Sequence, residues 1–276
     1  MRFRRSLGIV AAAVSFAGSA VFASPESVRT DIAKRLRQQL PAVEAGDYAL
    51  GSAAFDAELR AKVEENAARG AGVLENGRKQ WTQKFGNGRS LAGCFPNGGR
   101  RVAASYPQFD PRLKRVITLE TAINQCLKSH GQALFEPGDP RTMGAVLAYL
   151  RSLADGVKVA VRVPGAAEDK FEQGRRLYFS RLGQRNFACA SCHLQGAGKR
   201  YGDTPLSPPI GQATHWPVIR GGAPVTLQMR MRECLELMGA APFPAGGDEL
   251  AHLEYFLGYL SVGLPMQANV WRPSQP

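Results

Sequence analysis

Apolar residues recur at helical spacing in several stretches, at 26–40, 55–68, 121–126, 144–153, 227–234 and 249–260, and each reads as an amphipathic helix. The 121–126 and 227–234 stretches each end near a cysteine, and the 144–153 and 249–260 stretches each carry a tyrosine. Between the two sets, 157–170 holds alternating valines and then Pro164-Gly165-Ala166-Ala167, the composition of a linker. The tail after Pro265 has little periodicity and reads as frayed or as lying against a partner.

The amino-terminal pattern is different. Basic residues 1–5 precede an apolar stretch that is broken by Gly8, Ser15, Gly18 and Ser19 and is short for a membrane span. It reaches small residues at Val21-Phe22-Ala23, so the order is that of a secretory signal peptide over 1–23, cut after Ala23. Arg4 and Arg5 are adjacent, but their surroundings fit a twin-arginine signal poorly. No second apolar run of spanning length follows, and the mature chain is expected in the periplasm without a membrane span.

The helical stretches recur in one order, which points to an internal duplication. Gly77-Arg78-Lys79-Gln80-Trp81 leads through Phe85-Gly86 to Leu91-Ala92-Gly93-Cys94-Phe95. Gly174-Arg175-Arg176-Leu177-Tyr178 leads through Leu182-Gly183 to Cys189-Ala190-Ser191-Cys192-His193. The expected divisions are an amino-terminal unit over 24–156, the linker over 157–170, and a carboxy-terminal unit over 171–276.

Five cysteines in an oxidising compartment should be paired or occupied, and an odd number requires a special role. Cys189-Ala190-Ser191-Cys192-His193 is the C-x-x-C-H pattern of covalent haem attachment, in which both thiols add to the haem and the histidine ligates its iron. A redox dithiol does not need the histidine, and a zinc site needs a second ligand pair. One haem c is therefore expected on Cys189 and Cys192, with His193 as an axial ligand.

In the first unit Leu91 stands where the first haem cysteine belongs and Phe95 where the histidine belongs, so this unit reads as one that has lost its haem. The compartment favours a Cys94–Cys126 disulfide over two free thiols, although separation along the chain does not fix the geometry. Cys234, the counterpart of Cys126, lies 42 residues beyond Cys192 and is a candidate for the open face of the iron. A thiolate there would lower the haem potential; a buried core thiol is the plain alternative. Arg230 and Arg232 make its surroundings electropositive, and Arg230, four residues earlier, shares its helical face. A guanidinium fork beside a thiolate suits an oxyanion.

The formal charge of +12 falls to +9 when Arg2, Arg4 and Arg5 leave with the leader. The positive charge is scattered and the protein is exported, which argues against nucleic acid as a partner.

The strings Gly183-Gln184-Arg185-Asn186-Phe187, Gly198-Lys199-Arg200-Tyr201-Gly202-Asp203-Thr204-Pro205-Leu206-Ser207-Pro208-Pro209, Thr214-His215-Trp216-Pro217 and Pro242-Phe243-Pro244-Ala245-Gly246 follow one another in order around the haem motif. With that motif they resemble the SoxA family, the catalytic cytochrome subunits of SoxAX complexes in bacterial thiosulfate oxidation. The resemblance spans the mature chain and is most specific over 171–265.

It implies an all-α fold of two tandem cytochrome c-like domains, the first without haem and the second with one. It also implies a SoxX partner cytochrome, the SoxYZ carrier and an electron-accepting cytochrome c. The implied activity is that of an L-cysteine S-thiosulfotransferase, joining thiosulfate oxidatively to a carrier cysteine. Cys234 maps onto the family's distal cysteine ligand, often a persulfide, and Arg230 onto its active-site arginine. One departure stands out: Met229, Met231 and Gly239 occupy positions where more arginine is expected.

A plain electron-transfer cytochrome is the rival reading, with Met238 or Met266 as sixth ligand, although methionine in either place also suits core packing. A further rival is a non-catalytic assembly subunit that only docks a partner cytochrome. His215 and His252 read as structural residues, and His130 follows the Cys126 helix.

Overall fold

Helix boundaries follow from local capping. The computed structural model describes residues 23–268 and 271–273; apart from Ala23, the expected leader lies outside the described residues. Helix α1 (Pro25–Gln39) starts where the Ser24 hydroxyl accepts the Ser27 N–H and Pro25 occupies the first turn. Asp56 caps α2 (Ala57–Glu65) by accepting the Leu59 N–H at 2.9 Å. Helix α3 (Ala71–Thr82) follows, and a single 3₁₀ turn, Leu91–Cys94, stands where the second unit has its haem motif.

A short hairpin, β1 (Gln108–Asp110) with β2 (Arg115–Ile117), leads into α4 (Leu119–Ser129), whose cap is Thr118. The first unit closes on α5 (Ala145–Ser152), entered through a wide turn that Asp139 caps. The second unit opens on α6 (Glu168–Phe179) and passes through α7 (Cys189–His193) and the small ribbon β3 (Arg200–Tyr201) with β4 (Thr204–Pro205). A second hairpin, β5 (Val218–Arg220) with β6 (Ala223–Val225), leads into α8 (Leu227–Leu237), capped by Thr226, and then α9 (Asp248–Leu260). Finally β7 (Trp271–Arg272) adds in parallel to β5.

The bulk of the fold is helical, as expected, but the all-helix expectation misses these strands. Each is two or three residues long, too short for an alternating pattern to register.

Matched devices recur in the two halves. Helix α3 lies against α5, and α6 against α9. Each crossing is made at a glycine, since a Cβ on Gly77 would collide with the Ala145 carbonyl and one on Gly174 with the His252 carbonyl. Each hairpin is preceded by a cis proline bond, Tyr106-Pro107 or Trp216-Pro217. Aromatic side chains fill the space beside each crossing: Trp81 against Phe95 at 5.1 Å in the first half, and Tyr178 and Phe171 each against Phe256 at 5.3 Å in the second.

The halves meet on counterpart residues. Tyr106 and Trp216, Pro107 and Pro217, and Leu119 and Leu227 line one cavity of about 10 Å³, room for a single water at most. Glu120, Arg151 and Glu254 line it too, and both carboxylates are 5% exposed. Burial pushes both carboxyl groups above the ordinary range, against the pull of Arg151.

The 157–170 segment is more than a tether. Val159 and Val161 are buried, and main-chain bonds tie the segment to both halves: Ala160 N–H to the Ala104 carbonyl, and Val159 N–H to the Leu264 carbonyl. The expected linker also overlaps α6, which begins at Glu168. Toward the end of the described residues, Gln267 N–H donates to the Thr214 carbonyl and Arg272 to the Leu50 carbonyl. No helix among the described residues is long and apolar enough to cross a membrane.

Candidate functional site

Helix α7 is one turn made of Cys189-Ala190-Ser191-Cys192-His193, and it starts where the Ser191 hydroxyl accepts the Ala188 N–H at 3.1 Å. A turn of this length sets Cys189 and His193 four residues apart on one face. The His193 Nδ1 lies 2.8 Å from the Ser207 carbonyl oxygen. A carbonyl can only accept, so Nδ1 carries the proton and Nε2 keeps its lone pair for a metal. Burial, with Arg230 adding to it, lowers the His193 pKa to about 4, so the imidazole is neutral at physiological pH.

Cys234 comes to this turn from α8. Cys189, Cys192 and Cys234 are all half-buried free thiols, and they are close enough that charge on one raises the pKa of another. Burial lifts all three, Cys189 to about 12. The Tyr178 hydroxyl is buried with no hydrogen-bond partner among the described residues, within electrostatic reach of the same three sulfurs.

These observations test whether a haem fits. Two thiols and an imidazole with its Nε2 available share one turn, a third sulfur reaches them from another helix, and a buried hydroxyl beside them lacks a partner. This donor set suits a covalently attached haem, whose iron the histidine and the third thiolate would hold. Met238 and Met266 are both buried in the core, 7% and 1% exposed.

The electrostatics around Cys234 differ from the sequence reading. Burial is the largest influence on its thiol and raises the pKa, while Arg230 and Arg220 pull it back toward thiolate. Arg232 is not among the leading influences on the thiol, and a Cβ on Gly138 in the first half would lie 3.8 Å from its Nη1. Arg220, at the end of β5, and Arg230, on α8, both donate to Glu233: Arg230 Nη1 to Oε2 at 3.0 Å, Arg220 Nη1 to Oε2 at 3.1 Å, and Arg220 Nη2 to Oε1. Glu233 follows Arg230 by three residues on one helix, a spacing legible in the sequence; Arg220 arrives through the hairpin, which no local pattern signals. Tyr178 was legible only as an aromatic, because the burial of its hydroxyl is a property of the packed core.

In the first half Cys94 is bonded to Cys126, with Cα atoms 6.0 Å apart. Leu91 is 1% exposed and Phe95 8%, so apolar side chains fill the positions that Cys189 and His193 hold in the second half. His130 lies beside the disulfide, and its Nδ1 is 3.1 Å from Asn87 Nδ2. The His215 ring packs where a Cβ on Gly51 would fall, and burial with Arg272 nearby lowers its pKa to about 3. His252 lies buried within α9.

Comparison with known proteins places these features among relatives. The model of the SoxA/TsdA cytochrome c domain matches residues 76–159, the half without C-x-x-C-H. The L-cysteine S-thiosulfotransferase subunit SoxA of Chlorobaculum tepidum is 37% identical, covering 83% of this chain and 81% of that protein. The subunit of the same name from Allochromatium vinosum is 33% identical over 94% of each chain. Among solved structures, the chain matches SoxXA from P. pantotrophus with a TM-score of 0.70 at 26% identity, covering 79% of this chain and 84% of that one.

Proposed function

Because this chain belongs to the SoxA family, we propose that it is the thiosulfate-conjugating cytochrome subunit of a periplasmic sulfur-oxidation complex, with its working site at Cys234 and Arg230. The observation that carries this reading is the meeting of Cys234 with Arg230 and the C-x-x-C-H turn. An ordinary electron carrier has no use for a third thiol there.

Cys189 and Cys192 would attach a single haem c, and His193 and Cys234 would ligate its iron. When bound, that group would supply a one-electron acceptor, and the two electrons that oxidative conjugation releases would pass on singly to the partner and acceptor cytochromes. Thiosulfate's outer sulfur bonds to Cys234 Sγ as those two electrons are removed. The carrier thiolate then attacks the outer sulfur, the Cys234 bond to it breaks, and Cys234 leaves as thiolate. The sum is thiosulfate plus a carrier thiolate giving a carrier S-thiosulfonate and two electrons. Arg230 orients the sulfonate through charge-assisted hydrogen bonds.

The partner that fits is a SoxX cytochrome, by likeness to SoxXA, with SoxYZ as carrier and a c-type cytochrome as electron acceptor. The architecture that fits is tandem: a signal peptide over 1–23, a haemless cytochrome c-like domain over 24–156, a connecting segment over 157–170 and a haem domain over 171–276. Matched glycine crossings, cis prolines and capping threonines support the duplication, as does a cytochrome c model falling on the half without the haem motif.

Peptide mapping of the mature protein, with activity of the reconstituted complex, tests the reading. One haem is expected on the Cys189/Cys192 peptide, and Cys234→Ala should keep that haem while losing nearly all conjugation of thiosulfate to the carrier. A protein without haem, or a fully active Cys234→Ala, would overturn it.

A further inference from the structure

A sulfonate presents three acceptor oxygens, and a single guanidinium engages at most two of them in a fork. Arg230 supplies one guanidinium from α8, and a second cation reaches the same carboxylate, that of Glu233, from outside that helix. Arg220 is in the right place. It ends β5, the middle strand of the β6-β5-β7 sheet, and its main chain is held by pairing with Ala223 on one side and Arg272 on the other.

From that fixed base its guanidinium donates through both terminal nitrogens to Glu233, which also accepts from Arg230. One carboxylate, on the residue that precedes Cys234, thus joins two guanidiniums from different elements. All three groups act on the Cys234 sulfur, Arg230 most strongly, with both guanidiniums favouring its thiolate and Glu233 opposing them. A bare pair of arginines so close would repel; the shared carboxylate holds them together at the cost of one unit of charge.

We propose that Arg220 and Arg230 form a two-guanidinium cradle for the sulfonate end of the substrate, with Glu233 as the positioning residue that sets their spacing. This rests on the thiosulfotransferase reading and completes it. Thiosulfate is held by its oxygens, which leaves the outer sulfur toward Cys234. Small sulfur oxyanions with a tetrahedral oxygen end, sulfate included, share the oxygen contacts, and only those with an outer sulfur go on to react.

The rival explanation is a staple that merely fastens the β5–β6 hairpin to α8. The experiment uses the haem-loaded protein in complex with its partner cytochrome, as Arg220→Lys, Arg220→Met and Glu233→Gln. Sodium sulfate binding to the oxidised complex is followed by calorimetry, KM and kcat for thiosulfate are measured, and the paramagnetic resonance of the ferric haem checks its ligation.

With wild-type resonance and near wild-type Tm, Arg220→Met should raise the sulfate Kd and the thiosulfate KM by about tenfold or more, with kcat changed far less. Arg220→Lys keeps an ion pair to Glu233 but loses the fork, and should recover only part of the binding. Glu233→Gln adds net positive charge, so a simple charge effect would tighten sulfate; loss of positioning weakens it, which is the result expected. Unchanged Kd and KM in Arg220→Met, or tighter sulfate in Glu233→Gln, would overturn the cradle while leaving the functional reading intact. Wild-type protein that binds sulfate through Arg220 but never conjugates thiosulfate would overturn the functional reading and leave the cradle standing.

Discussion

Cys126 and Cys234 stand at the same register of corresponding helices, each eight residues after the threonine that caps its helix, Thr118 or Thr226. Cys126 is bonded to Cys94, whereas Cys234 remains a free thiol within reach of Cys192. One position thus serves as a structural tie in the first half and as the candidate reacting sulfur in the second.

The tie closes a chain segment with a sequence separation of 32 residues. Loop-closure arguments give such a bridge about 3–4 kcal/mol. The double variant Cys94→Ser/Cys126→Ser is expected to lose about that much in urea denaturation while keeping its haem absorbance. Reductant should lower the wild type's midpoint and leave the variant's unchanged; equal stability of the two proteins would show that the bridge is idle.

Gly77 and Gly174 permit the two helix crossings, and an added methyl group at either would strike a main-chain carbonyl that has no room to move. Gly77→Ala and Gly174→Ala should each cost about 2 kcal/mol or more, the range of an overpacked core. Gly72 in α3 meets nothing within 4 Å, so Gly72→Ala serves as the control and should be neutral or stabilising by up to ~1 kcal/mol. Chemical denaturation of the three variants side by side settles the matter, and a harmless alanine at Gly174 would mean that α6 and α9 do not cross there.

Glu120 and Glu254 titrate above the ordinary carboxylate range because they are buried, with Arg151 pulling against the shift. The native state therefore retains a proton that the unfolded chain has already released. Stability from this pair is complete below the unfolded value of 4.5 and declines as pH rises through the higher folded value. Glu254→Gln removes one of the two carboxyl groups, so its stability should fall less between pH 5 and pH 8 than that of the wild type. Parallel slopes for the two proteins would rule this out.

Much of this was legible in residue order. The C-x-x-C-H turn, the duplicated order of helices and the pairing of Arg230 with Cys234 all depend on spacing along one element, which sequence reports directly. Arg220, the Glu120–Arg151–Glu254 cluster and the unpartnered Tyr178 hydroxyl were not, because each depends on elements distant in sequence coming together. The strands escaped notice for another reason: their two- and three-residue runs between helices carry too few positions to set a period.

The cavity shared by Tyr106 and Trp216, Pro107 and Pro217, and Leu119 and Leu227 has a bearing on how the chain has drifted. Its two walls descend, on the duplication reading, from one surface, yet they now face each other as unlike partners. A substitution in one wall must be answered in the other, as it would be between the subunits of a dimer whose genes have separated. A chimaera that takes one half from a relative would inherit a mismatched seam, so exchange between lineages should favour the whole chain over either half.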